Sequence, residues 1–134
     1  MIAAMTMNGR ILVADDDPDL RLLFRLVLQR GGYEVIEADS GEQALERAID
    51  SAPELILLDV MMPGLTGFDT CRRLKNDRRT GNVPVVFITA RDDLASRTEG
   101  LQSGAEAYIS KPVSPQNLMQ CVLNVLKQPN HRPD

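Results

Sequence analysis

The chain has 134 residues, 43% of them hydrophobic and 25% charged, which suits one globular domain large enough to bury a sizeable core. A net charge of −4 argues against a surface built to attract nucleic acid or acidic lipid headgroups. Aromatics make up 4% and tryptophan is absent, so Leu, Ile, Val and Ala must build the core, and no run approaches the roughly 18 apolar residues of a membrane span.

The first ten residues, MIAAMTMNGR, lack an early basic residue, and their apolar run is too short for a signal peptide, so a cytoplasmic protein is expected. Residues 1–9 read as an N-terminal extension to a domain over 10–127. ILVA at 11–14 reads as the first strand. A helix follows with Leu20, Leu23, Phe24, Val27 and Leu28 on one buried face, Asp17 as its cap, Pro18 in its first turn and Gly31-Gly32 at its end. YEVIEA at 33–38 is the second strand. The next helix starts at Ser40, with Gln43 placed for a capping box, and buries Ala44, Leu45, Ala48 and Ile49.

ELILL at 54–58 is the third strand, and a third helix over 66–76 turns Phe68, Cys71 and Leu74 inward. VPVVFI at 83–88 is the fourth strand. The helix expected at 92–103 differs from the others, because its large apolar residues are only Leu94 and Leu101. A helix with so little to bury is the one held least firmly. AYIS at 107–110 forms the fifth strand, and a last helix, capped by Ser114 with Pro115 behind it, buries Leu118, Val122, Val125 and Leu126. The polar end, residues 128–134 with the lone His131, reads as a tail or the start of a linker. Cys71 and Cys121 read as small reduced side chains on helices rather than as a bridge.

Five strand–helix units, with near-continuous apolar strands, imply an α/β fold: a doubly wound, five-stranded parallel sheet with five helices. Ligands of such sheets bind beyond the carboxyl ends of the strands. Asp15, Asp16 and Asp17 follow the first strand, Asp59 the third and Lys111 the fifth, while Thr89 closes the fourth. Asp17 is accounted for equally well as a helix cap, but Asp15 and Asp16 stand too early for that role. Crowded carboxylates repel one another unless a cation sits among them. Oxygen ligands without His or Cys suit a hard cation such as Mg²⁺. With an ammonium and a hydroxyl beside it, the set forms a cradle for a phosphoryl group, in which a carboxylate can act as nucleophile.

ILVADDDPDLR, LILLDVMMPGLTG, FITA and YISKP together resemble the signature segments of bacterial response-regulator receiver domains over about residues 10–127. The resemblance implies a flavodoxin-like strand order 2-1-3-4-5. It implies Asp59 as phosphoacceptor, supplied by a phosphohistidine of a histidine kinase or phosphotransfer protein. It assigns Mg²⁺ to Asp15, Asp16, Asp59 and the backbone carbonyl of Met61. Lys111, with a cis bond to Pro112, would pair with the phosphoryl oxygens, Thr89 would hydrogen-bond them, and Tyr108 would turn inward to couple the site to the fourth helix. The implied protein is a signalling receiver rather than an enzyme, assisting its own phosphorylation and dephosphorylation, with a surface of helix 4, strand 5 and helix 5 for a protein partner. Met61 and Arg91, near the acceptor and Thr89, stand where they could shield the phosphoryl group from water.

Two other classes fit less well. A phosphatase of the haloacid dehalogenase type places a second acid two residues after its nucleophile, where this chain has Met61. A flavodoxin-like electron carrier needs a hydroxyl-rich phosphate loop, where this chain has three acids. The basic run RRLKNDRR at 72–79 reads as the wet side of a surface helix, and no helix-turn-helix is left over, so nucleic acid and membrane are not expected partners. GAEAYISKPV departs from the GADDYLxKPF segment of receivers joined to winged-helix domains, which puts their dimer mode in doubt here.

Overall fold

Alternation of side chains across each strand sorts the apolar residues onto two faces of a sheet in the computed structural model, which describes residues 9–127. The strands are β1 (Arg10–Ala14), β2 (Glu34–Ala38), β3 (Leu55–Leu58), β4 (Val85–Thr89) and β5 (Ala107–Ser110). The helices are α1 (Pro18–Arg30), α2 (Gly41–Ser51), α3 (Gly67–Asn76), α4 (Leu94–Gln102) and α5 (Pro115–Leu126). All pairings are parallel, in the order β2-β1-β3-β4-β5. The expected doubly wound α/β architecture is therefore present. The extension before residue 9 and the tail from 128, with His131, lie outside the described residues.

Ile11, Val13, Leu55, Leu57, Val86 and Ile88 point to the side covered by α1 and α5, where Phe24, Leu28, Leu118, Val122 and Val125 meet them. Leu12, Ala14, Ile56, Leu58 and Phe87 point the other way, against Ala44 and Ala48 of α2 and Phe68, Cys71 and Leu74 of α3. Both faces of the sheet are covered, which is why β1, β3 and β4 are apolar nearly throughout.

The helix ends follow their signals. Asp17 accepts from the N–H groups of Asp19 and Leu20, and Ser40 from that of Gln43. Gln43 reaches back to the N–H of Asp39, one residue beyond an ordinary capping box. Thr66, Asp93 and Ser114 cap α3, α4 and α5 in the same manner.

Two packing expectations change. Leu23 was expected inside but is 44% exposed. At 100° per residue it lies about 40° outside Val27, past the edge of the stripe formed by Leu20, Phe24, Val27 and Leu28. α4 packs more thinly than its two leucines imply: Leu94 is 80% and Leu101 50% exposed, and the residues it buries are Ser96 and Gly100. Gly100 allows this contact, since a Cβ there would stand 2.6 Å from the Tyr108 ring. Both cysteines are free thiols, Cys71 buried and Cys121 half-buried.

Candidate functional site

The chain leaves β1 toward β2 on one side and reaches β3 on the other, so the order of the sheet reverses between β1 and β3. Asp15 and Asp59 stand just past the carboxyl ends of these two strands. Their backbones continue the sheet: the Asp59 N–H donates to the Ala14 carbonyl at 3.0 Å and the Asp15 N–H to the Ala38 carbonyl at 3.1 Å. Both side chains are buried, at 2% exposure for Asp15 and 6% for Asp59.

One cation holds the two acids. Lys111, brought in from the end of β5 before a cis bond to Pro112, donates from Nζ to Oδ2 of Asp15 and to Oδ2 of Asp59, each at 2.8 Å. The other oxygen of each acid takes a backbone N–H: Asp15 Oδ1 from Asp17 at 2.9 Å, Asp59 Oδ1 from Met61 at 3.1 Å. Burial pushes the Asp15 carboxyl above its ordinary range, against the pull of Lys111 and the Asp17 N–H. Burial also works against the charge of Lys111, but its contacts with Asp15 and Asp59 outweigh this and raise its pKa.

Asp16 is exposed, yet one carboxylate oxygen each from Asp15, Asp16 and Asp59 can lie within 4.8 Å of one another. Three carboxylates against one ammonium leave two negative charges uncompensated, and a divalent cation matches that deficit. With oxygen donors alone, the set fits Mg²⁺ better than zinc or copper. Asp17 is spent on its cap. The Met61 side chain is 57% exposed, and its N–H is the group of that residue bonded to Asp59.

Thr89 is fully buried, and its Oγ1 accepts the Arg91 N–H at 3.2 Å. The Tyr108 hydroxyl donates to the carbonyl of the same residue, Arg91. Arg91 is thus gripped through its backbone by Thr89 of β4 and Tyr108 of β5. The Tyr108 ring, 8% exposed, lies 5.7 Å from Phe87 with the Arg97 guanidinium 5.4 Å from its centroid. Met61 and the half-exposed Arg91 line a cavity of about 480 Å³ with Asp16, Pro63, Thr66 and Phe68.

Two contributors were not read from the sequence. Gly67 opens α3 against the back of the site, where a Cβ would fall 2.2 Å from the Asp59 carbonyl oxygen. Its signal was a glycine directly after the cap Thr66, a position with no capping use for it. Arg21 donates to the Asp15 carbonyl at 2.6 Å, and nothing in the sequence singles it out from the other arginines of α1.

Comparison with known proteins identifies the family of the chain. Residues 11–123 match the family described as the response regulator receiver domain. The chain is 39% identical over 118 residues to the phosphate regulon transcriptional regulatory protein PhoB of Pseudomonas aeruginosa, covering 88% of this chain and 52% of that protein. It is 40% identical over 128 residues to the DNA-binding response regulator MtrA of Mycolicibacterium smegmatis, covering 96% of this chain and 55% of the relative. The chain therefore spans about half the length of the curated relatives it matches. Among solved structures, a putative response regulator from Chloroflexus aurantiacus superposes with a TM-score of 0.85 at 35% identity, over 90% of this chain and 98% of that one. The chemotaxis protein CheY4 of Vibrio cholerae gives 0.83 at 29% identity, over 87% of this chain and 98% of that one. Fold and sequence agree: the chain belongs to the response regulator receiver domains of two-component signalling.

Proposed function

We propose that Asp59 accepts a phosphoryl group from a phosphohistidine of a histidine kinase or phosphotransfer protein, in a Mg²⁺-dependent reaction in the cytoplasm. The observation that carries this reading is the pair of buried carboxylates at the ends of β1 and β3, gripped by one lysine with a third acid alongside. An Asp59 carboxylate oxygen attacks phosphorus, the O–P bond forms as the P–N bond breaks, and the imidazole leaves with the electron pair. Asp15, Asp16, Asp59 and the Met61 carbonyl are the groups to hold Mg²⁺, which when bound supplies positive charge to the phosphoryl oxygens. Lys111 exchanges its Asp59 contact for the incoming phosphoryl oxygens, adding the ammonium charge where negative charge concentrates.

The response runs through Arg91. When Thr89 turns its hydroxyl to the phosphoryl group, the Arg91 N–H loses its present acceptor, and the carbonyl holding Tyr108 moves with it. Tyr108 lies against Gly100 of α4, so the surface of α4, β5 and α5 is the one that changes for a protein partner. Among the described residues no helix is long and apolar enough to cross a membrane.

The test is direct. Incubated with Mg²⁺ and acetyl phosphate, the protein gains one base-labile phosphoryl group by intact mass, and Asp59→Asn gains none because an amide is a poor nucleophile. Full labelling of Asp59→Asn refutes the assignment.

A further inference from the structure

We infer that Arg21 is a positioning residue for the Mg²⁺ site, acting on the peptide that joins Asp15 to Asp16; the inference rests on the proposed reading of those acids as metal ligands. Asp15 needs little help: it is buried, and both its carboxylate oxygens are bonded. Asp16 is different. It is exposed, and among the described residues nothing bonds its carboxylate, so the fold places it only through the backbone that carries it. The carbonyl between the two acids is the Asp15 oxygen, and Arg21 Nη1 donates to it at 2.6 Å.

Arg21 is itself fixed. Its Nε donates to Glu37 Oε1 at 3.0 Å, and its side chain is only 17% exposed. Glu37, on β2, is held in turn by Arg25 through its other oxygen at 2.9 Å, while Arg47 bonds the Glu37 carbonyl. A line of contacts thus runs from α1 and α2 through Glu37 and Arg21 to the peptide that orients Asp16. A guanidinium suits this place because Nε and Nη1 point in two fixed directions, whereas a lysine amine has no such fork. Groups that orient metal ligands without touching the metal are worth roughly 10–100-fold in affinity when removed.

A control exists at the other end of β1 from the acids. Arg10 makes the same kind of fork, Nε to Glu34 at 3.0 Å and Nη1 to the Ser51 carbonyl at 2.7 Å, away from the acids. Mg²⁺ affinity is measured by calorimetric titration of the full chain, with unfolding curves recorded on each variant. Arg21→Ala is expected to weaken Mg²⁺ binding on the order of tenfold, Arg21→Lys about threefold, and Arg10→Ala not at all. If Arg21→Ala does not fold, Arg21→Lys decides. An Arg21 variant that is folded and binds Mg²⁺ within about twofold of the parent, or an Arg10→Ala that loses as much affinity as Arg21→Ala, overturns the inference and leaves the phosphoryl-acceptor reading standing. A parent protein that binds no Mg²⁺ overturns both.

Discussion

Replacing Lys111 with alanine takes one cation from between two acids that stay buried. Asp15 and Asp59 are 2% and 6% exposed, so each is left a largely desolvated carboxylate without its cation. Removing one member of a buried pair costs about 3–5 kcal/mol, and the 19% exposure of the Lys111 side chain puts this case near the lower end, about 3 kcal/mol. For a domain of this size that is roughly a 10 °C fall in the unfolding midpoint. The pH dependence has a definite sign. The Asp15 carboxyl is raised above 3.8 in the fold, so the folded state binds more protons than the unfolded one, and stability falls as pH rises from 3.8 through the raised value. Lys111 pulls against that rise, and its removal extends the window upward. The lysine itself, raised above 10.5, stays charged in both states across the acid and neutral range. Urea unfolding followed by circular dichroism in EDTA should therefore show a larger penalty for Lys111→Ala at about pH 7.5 than at about pH 4.5. Saturating Mg²⁺ should bring the variant close to the stability of the parent in EDTA, since a ligand at a hundredfold excess over Kd adds about 2.7 kcal/mol. A penalty below about 1 kcal/mol in EDTA at neutral pH, or one equal at both pH values, refutes the reasoning.

Gly100→Ala should cost about 1–3 kcal/mol and displace Tyr108, because the new methyl meets that ring at 2.6 Å; unchanged stability and unchanged Tyr108 ring resonances would contradict this. Met61→Asn combined with Arg91→Glu should shorten the phosphoryl half-life about tenfold, a barrier change of about 1.4 kcal/mol, by opening the cavity beside the acceptor to an oriented water. Both side chains are more than half exposed, so stability should move little, and an unchanged half-life in the folded double variant would rule out shielding.

Local signals carried most of the fold because they acted where tertiary structure had little to override. Near-continuous apolar runs announced strands covered on both faces, and Asp17, Ser40 and Ser114 cap the helices they precede. The acids, the lysine and the threonine were legible because a parallel sheet puts every strand end on one edge. What escaped depends on contacts between distant segments. Leu23 follows the helical period but lies past the edge of what the sheet can cover. Gly67 is small because the Asp59–Val60 backbone passes beneath it, and Arg21 differs from its neighbours only through where Asp15 and Glu37 end up.

The two ends of the site are built with opposite firmness. On the β1 side, Asp15 is closed in by α1, whose Phe24 and Leu28 are buried and whose Arg21 and Arg25 converge on Glu37. On the β4 side, Thr89 and Tyr108 meet at one backbone residue, Arg91, beneath a helix that leaves both its leucines to solvent. Under the proposed function, a charge change at Asp59 would displace whichever neighbour costs less to move. Moving α1 would break a buried apolar face and an ion-pair cluster together, whereas moving α4 disturbs a glycine and a serine against the Tyr108 and Phe87 rings and the polar contacts of Arg97 and Glu99, with no large apolar side chain of its own pulled from the core. On that reading, rigidity at β1 would hold the acids ready for a cation, and the sparse packing of α4 would make that helix the element to respond.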